Sequence, residues 1–250
     1  MGDRAPRFLG RWPRWGTAKQ AWALATVIVL VLLCADALAR VSAESLVARH
    51  VQEVTGITER PQVQVRGVLF LPQLIRGAYQ QVDVTTLGAT SGELRVQRVN
   101  SQLFDVRVPF HDVLVGDVRR VGIARSLERA TLTYEDLNAY LKAADRPLQL
   151  SSTSDEQVKV TGTINLPGGP VQASSDATLS VDDGRLRVTP RQVDTGTSTL
   201  DQASRLLLGE RLAFTVPLAE LPFGHRLTSA TPYPEGITVE AEGAAIILQP

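Results

Sequence analysis

The spacing of apolar and polar positions changes character along the chain. From Ala21 to Ala35 the sequence reads AWALATVIVLVLLCA, 15 residues without a charge. A membrane span needs about 17–25 residues, a length the run reaches when Thr17, Ala18 and Gln20 are added. After it, Ala39, Ala43, Leu46, Val47, His50, Val51 and Val54 recur at helical spacing, with Arg40, Glu44, Arg49 and Glu53 elsewhere on the wheel. No Gly or Pro separates the two stretches, so one helix is expected to run through both and to stop at Gly56 and Pro61.

Beyond Pro61 the period falls to two. Val63 and Val65, then Val82 and Val84, alternate with polar residues. Glu93 to Val108 reads as one long strand whose apolar phase slips between Val96 and Val99, the mark of a bulge. Val118 to Thr133 is extended. Tyr134 to Lys142 is a short helix with Thr133 as N-cap and Glu135 and Asp136 in its first turn. Val158 to Leu166, Val171 to Val181, and Leu186 with Val188 form a meander with one apolar and one polar face. Leu200 to Leu208 is helical, and Leu212–Leu218, Phe223–Thr231 and Ile237–Leu248 close the chain as strands. The expected class is α+β: a long curved antiparallel β-sheet packed on an N-terminal helix and short helices. If those helices do not cover the apolar face, a groove remains.

Charge adds an orientation. Residues 1–20 hold five of the 26 basic residues and one of the 26 acidic ones, so the rest of the chain is acidic by four charges. A basic segment before an apolar run keeps the N-terminus cytoplasmic, and Trp12, Trp15 and Trp22 suit the interface. The expected layout is a cytoplasmic basic segment 1–20, a transmembrane or signal-anchor segment 21–35 and one domain over 36–250. Ala37-Leu38-Ala39 fits a signal-cleavage pattern, but cleavage after Ala39 would trim the first turn of the amphipathic stretch. The reading is a single-pass protein of the cytoplasmic membrane with its C-terminal domain outside, or an exported protein if the signal is removed. Cys34 follows Leu33, where a lipid-modified cysteine needs a small residue, so it reads as a passive thiol in lipid. The mildly acidic body argues against nucleic-acid binding.

Candidate chemistry is sparse. His50, His111 and His225 are far apart, with His50 on the apolar stripe and the other two in loops. The sequence has no clustered metal ligands, no Gly-x-Ser-x-Gly elbow and no phosphate-cradling glycine loop. No cofactor, metal or catalytic residue is expected. What stands out is Val68 to Ile75, apolar, interrupted by Pro72 and flanked by Gly67 and Gly77. It is either a loop plugging the end of a sheet or a lip that enters lipid or lines a pocket. Leu221-Pro222-Phe223-Gly224 is a second such corner. On the lip reading, Leu69, Phe70, Leu71, Leu74, Ile75, Leu221 and Phe223 are the lipid-binding residues.

Four blocks carry a family resemblance. Gly67-Val68-Leu69-Phe70-Leu71-Pro72-Gln73-Leu74-Ile75-Arg76-Gly77-Ala78-Tyr79, running into Val82-Asp83-Val84, resembles the signature of the LmeA-like phospholipid-binding proteins of actinobacterial envelopes. Val106-Arg107-Val108-Pro109 with Asp112-Val113-Leu114 resembles a second block, Tyr134-Glu135-Asp136-Leu137-Asn138 a third, and Leu221-Pro222-Phe223-Gly224 through Pro234-Glu235-Gly236-Ile237 the last. Order and spacing agree from about Ala35 to Leu248. The resemblance implies a non-catalytic phospholipid-binding protein of the cell envelope that supports lipid or lipoglycan assembly or transport, with a fold like tubular lipid-binding domains. Phospholipids and the membrane are the expected partners. The competing readings are an envelope scaffold whose apolar patch binds a protein partner, and an enzyme on lipid-linked sugars that would need two facing carboxylates.

Overall fold

The computed structural model describes residues 15–55, 57, 59–115, 120–154, 157–166, 169–182, 184–195, 202–218 and 226–248. A single helix, α1 (Trp15–Thr55), runs unbroken for 41 residues through the apolar run and the amphipathic stretch, as the absence of Gly and Pro predicts. From Trp22 to Leu33 its large apolar side chains lie open. It is long and apolar enough to cross a membrane.

The strands divide between two curled antiparallel sheets that make a half-barrel, where the sequence suggests one long sheet. The first sheet holds β1 (Gln62–Arg66), β2 (Ala78–Ser91), β3 (Leu94–Arg107), β4 (Val121–Thr133), β10 (Arg226–Tyr233) and β11 (Gly236–Leu248), ordered β1-β2-β3-β4-β11-β10. The second is a meander in chain order: β5 (Leu148–Ser154), β6 (Gln157–Leu166), β7 (Gly169–Asp182), β8 (Arg185–Asp194) and β9 (Phe214–Pro217). Short helices fill the connections: α2 (Leu71–Arg76), α3 (Phe110–Val115), α4 (Tyr134–Ala143) and α5 (Gln202–Leu212).

The phase slip in β3 is present, since Leu94 and Val96 are buried and then Val99, Ser101 and Leu103. It lies opposite Gly88, whose φ of +63° an L side chain rarely adopts. A second slip falls at Asp105, with φ +50°, and carries Val106 onto the buried side. The expected bulge is absent, because β2–β3 and β3–β4 keep one register on both sides of each slip.

Two apolar clusters result. The larger joins both sheets with α4 and α5, around Leu132, Leu137, Val158, Leu186, Leu208 and Ile237. Here α4 acts as a peg. Thr133 Oγ1 accepts the Asp136 N–H at 3.0 Å, and Tyr134, Leu137 and Leu141 turn inward. Asn138 clamps the first strand of the second sheet, its amide oxygen accepting from Leu150 N at 2.7 Å and its amide nitrogen donating to Leu150 O at 3.0 Å. The Tyr134–Asn138 block is therefore a hinge pin between sheets. The smaller cluster, Val65, Phe70, Tyr79, Leu103, Val106 and Ile123, sits at the α1 end of the first sheet, with Ala39, Ala43 and Leu74 packed on it.

Candidate functional site

The Gly67–Gly77 segment is neither a strand nor an open loop. Residues 71–76 wind into one and a half turns of helix, with Pro72 in the first turn, where its missing N–H costs nothing. Gly77 ends the helix in the left-handed conformation at φ +62°. Gln73, buried, is its internal brace. Its side-chain nitrogen donates to Leu69 O at 2.9 Å and Arg66 O at 3.3 Å, and its oxygen accepts the Gln80 N–H at 3.1 Å. A Cβ on Gly67, at φ +138°, would collide with that amide. The rings of Phe70 and Tyr79 meet at a tilt of 33° below it, centroids 6.2 Å apart. Gly67, Phe70, Gln73, Gly77 and Tyr79 thus build the segment, and their job is architectural.

The five predicted lipid contacts in this segment therefore part company. Phe70, only 1 % exposed, is a core residue and not a lip. Leu71 and Leu74 are half-buried, and Leu74 packs on the smaller cluster. Leu69 and Ile75 face outward, and Val68, not among the candidates, is 94 % exposed. Helix α3 packs beside α2 and adds exposed Val113. The rim is thus Val68, Leu69, Ile75 and Val113. Leu221 and Phe223 lie outside the described residues.

The residues that hold this rim come from α1, and hydrophobic periodicity did not find them. Asp36 Oδ1 accepts the N–H groups of Phe70 at 2.8 Å and Leu71 at 2.7 Å, with Oδ2 also on Phe70 at 3.0 Å. A carboxylate from the middle of α1 thus caps α2, which has no side-chain cap of its own. One turn on, Arg40 donates to the carbonyls of Gly67 at 3.1 Å and Val68 at 3.4 Å, and lies 3.7 Å from Asp36. Another turn on, Glu44 accepts the Val65 N–H at 2.8 Å, and Arg60 returns a bond to Ser45 O at 2.7 Å. The docking stripe of α1 is therefore Asp36, Ala39, Arg40, Ala43, Glu44 and Ala48. The expected stripe is corrected: Leu46, Val47 and His50 are exposed, while Arg40 and Glu44 face the body. Hydrophobicity misleads here because the contact is made with the unpaired backbone groups of a loop and an edge strand, which need charged or polar ends and small residues between them.

One further buried carboxylate stands apart. Glu128 on β4, 3 % exposed, faces inward between the two clusters. Ser101 Oγ donates to its Oε1 at 3.3 Å, while Oε2 has no hydrogen-bond partner. Burial pushes the carboxyl from its ordinary 4.5 up to about 7, against the smaller pull of Ser101. The two buried carboxylates serve different places: Asp36 binds backbone beside the lip and Glu128 lies in the sheet. His111 is exposed at the start of α3, and His225 lies outside the described residues. Among the described residues no group of three or more His, Cys, Asp or Glu could hold a metal ion.

Comparison with protein families gives a match to the model described as LmeA-like phospholipid-binding, over residues 34–242. No curated protein matches the chain. The matched span begins two residues before Asp36, so the docking stripe of α1 lies within it.

Proposed function

The chain belongs to the LmeA-like phospholipid-binding family, and on that premise we propose that it is a non-catalytic phospholipid-binding protein of the cell envelope, held on the cytoplasmic membrane by α1 and serving lipid or lipoglycan assembly or transport. The observation that carries the reading is the joint between Asp36 and the N-terminus of α2. It sets the exposed rim of Val68, Leu69, Ile75 and Val113 beside the point where the apolar run of α1 ends. About 17–25 helical residues span the 30 Å hydrocarbon core, and residues 17 to 35 fall within that length. With α1 in the bilayer, the rim lies at the outer headgroup level, where an apolar patch of this size meets acyl chains. Val68, Leu69, Ile75 and Val113, with Leu71 and Leu74 half-buried behind them and with Leu221 and Phe223, are the proposed lipid contacts, while Phe70 shapes the surface from beneath.

The joint also favours a retained anchor. Cleavage after Ala39 would remove Asp36 and leave the N–H groups of Phe70 and Leu71 without their acceptor.

Native mass spectrometry of the full chain extracted from membranes tests the reading. The expected result is co-purifying phospholipid, lost in Val68→Asp/Ile75→Asp with the melting temperature unchanged. If the extracted protein carries no phospholipid, or if the double variant keeps it and loses only a protein partner, an envelope scaffold replaces the lipid-binding reading.

A further inference from the structure

The centre of the first sheet's inner face interrupts an apolar surface with polar groups. Directly opposed residues of antiparallel strands share a face, so one row across the sheet is Val63, Val84, Ser101, Glu128, Ala241 and Leu227. The next row toward α2 is Val65, Val82, Leu103, Ser126 and Gly243. Ser101, Ser126 and Glu128 therefore form a polar step with the larger apolar cluster on one side and the smaller on the other. The residues flanking the Glu128 carboxyl on the neighbouring strands are small: Ser101, Ala241 and, one row on, Gly243. Its Oε2 is sealed from solvent and has no partner. A buried polar atom without a partner calls for one, because the desolvation it suffers is otherwise uncompensated.

We propose that Glu128, its Oε1 held by Ser101 and its neighbour Ser126 bonded to Gly243 O, binds through Oε2 the ester or phosphate oxygens of a glycerophospholipid whose acyl chain lies along the smaller apolar cluster toward α2. This deepens the phospholipid-binding reading and rests on it. The geometry suits the ligand. Ile123, in the cluster that Phe70 and Leu74 of the α2 segment cover, lies five residues from Glu128 along β4, about 17 Å. An amphiphile that displaces those two side chains meets apolar wall first and the polar step next. The described side chains that share this face on the neighbouring strands are uncharged: Val84, Thr86, Val99, Ser101, Leu103, Val239 and Ala241. In that surrounding the carboxyl keeps its proton up to about neutral pH and can donate through the free oxygen to an ester carbonyl or phosphate oxygen.

The test incubates the full-length protein with phosphatidylglycerol vesicles carrying a trace of diazirine-acyl phosphatidylglycerol, followed by photolysis and peptide mapping. The wild type is expected to label on β3, β4 and β11 as well as at the rim. Glu128→Leu should cut inner-face labelling about tenfold, the worth of one buried hydrogen bond, and leave rim labelling unchanged. Glu128→Gln, which keeps a donor and the shape, should label like wild type at pH 5.5 and hold that level at pH 8.5, where wild-type inner-face labelling falls. Labelling confined to the rim and α1, or inner-face labelling indifferent to Glu128→Leu, overturns the inner site and leaves the phospholipid-binding reading standing. No labelling anywhere removes that reading itself.

Discussion

Asp36→Ala separates the joint from the rest of the fold. The substitution takes away three short contacts to two backbone donors, Phe70 N–H and Leu71 N–H, in a helix of six residues without another side-chain cap. A buried donor left without its partner costs about 1–3 kcal/mol, and loss of a helix N-cap about 0.5–2 kcal/mol; the same bonds serve both, so the loss is about 1–3 kcal/mol. A domain holding roughly 5–15 kcal/mol survives that loss. The α2 segment, tied down mainly by Phe70, Gln73 and Asp36, opens first. At 1.4 kcal/mol per decade, amides of residues 70–74 should exchange hydrogen about 5- to 140-fold faster, read by mass spectrometry on peptides covering 67–77 in the detergent-solubilised full chain. Peptides from β4 and β11 should exchange as in wild type, and Asp36→Asn, which retains an acceptor, should fall between. Equal exchange of 67–77 in Asp36→Ala and wild type would show that the cap does not hold the segment. An equal acceleration in β4 and β11 would show that the joint is not a local unit.

Three other outcomes follow from the packing. Phe70→Ala should cost about 3–5 kcal/mol in chemical denaturation, whereas Val68→Asp should stay within about 0.5 kcal/mol, because one side chain is core and the other is in solvent. Glu128 is protonated in both folded and unfolded chains below about pH 4.5. As pH rises toward about 7 the unfolded chain ionises first, so wild-type stability falls. Glu128→Gln should therefore gain on wild type by up to about 3 kcal/mol between pH 4 and pH 8 in urea melts, and a gap that does not change with pH would refute the assignment. Gly236→Ala should destabilise by about 1–3 kcal/mol or more in thermal melts, since the new Cβ would run into the backbone carbonyl of Leu132 where β11 begins against β4.

Much of the framework was legible because period-two alternation marks strands with one wet face. The Val158–Val181 meander and the Thr133 cap stand as read, while the slip near Val96 is present as a change of burial phase without the bulge expected of it. Strand β5 was hidden: Leu148–Ser154 is half serine and threonine, and its place comes from Asn138, a contact that local pattern cannot show. Two sheets in place of one follow from the same cause, since strand pairing is a long-range property. At the lip, the Gly67, Gln73 and Gly77 signature was visible, but its helical form was masked by Pro72, which reads as a breaker until it falls in a first turn. The polar stripe of α1 escaped because a hydrophobic search passes over Asp36, Arg40 and Glu44, and their partners are backbone atoms that have no letter in the sequence.

The bond from Val65 N–H to Glu44 reaches beyond the lip. Among the described residues strand β1 ends the first sheet and pairs only with β2, so its outer backbone groups are a template for another strand. By laying Glu44 against that border, α1 occupies it at Val65. The helix proposed as the tether is in this respect also a guard against self-association: stripped of α1, two copies would zip border to border, and the solution would turn cloudy before the fold itself melted.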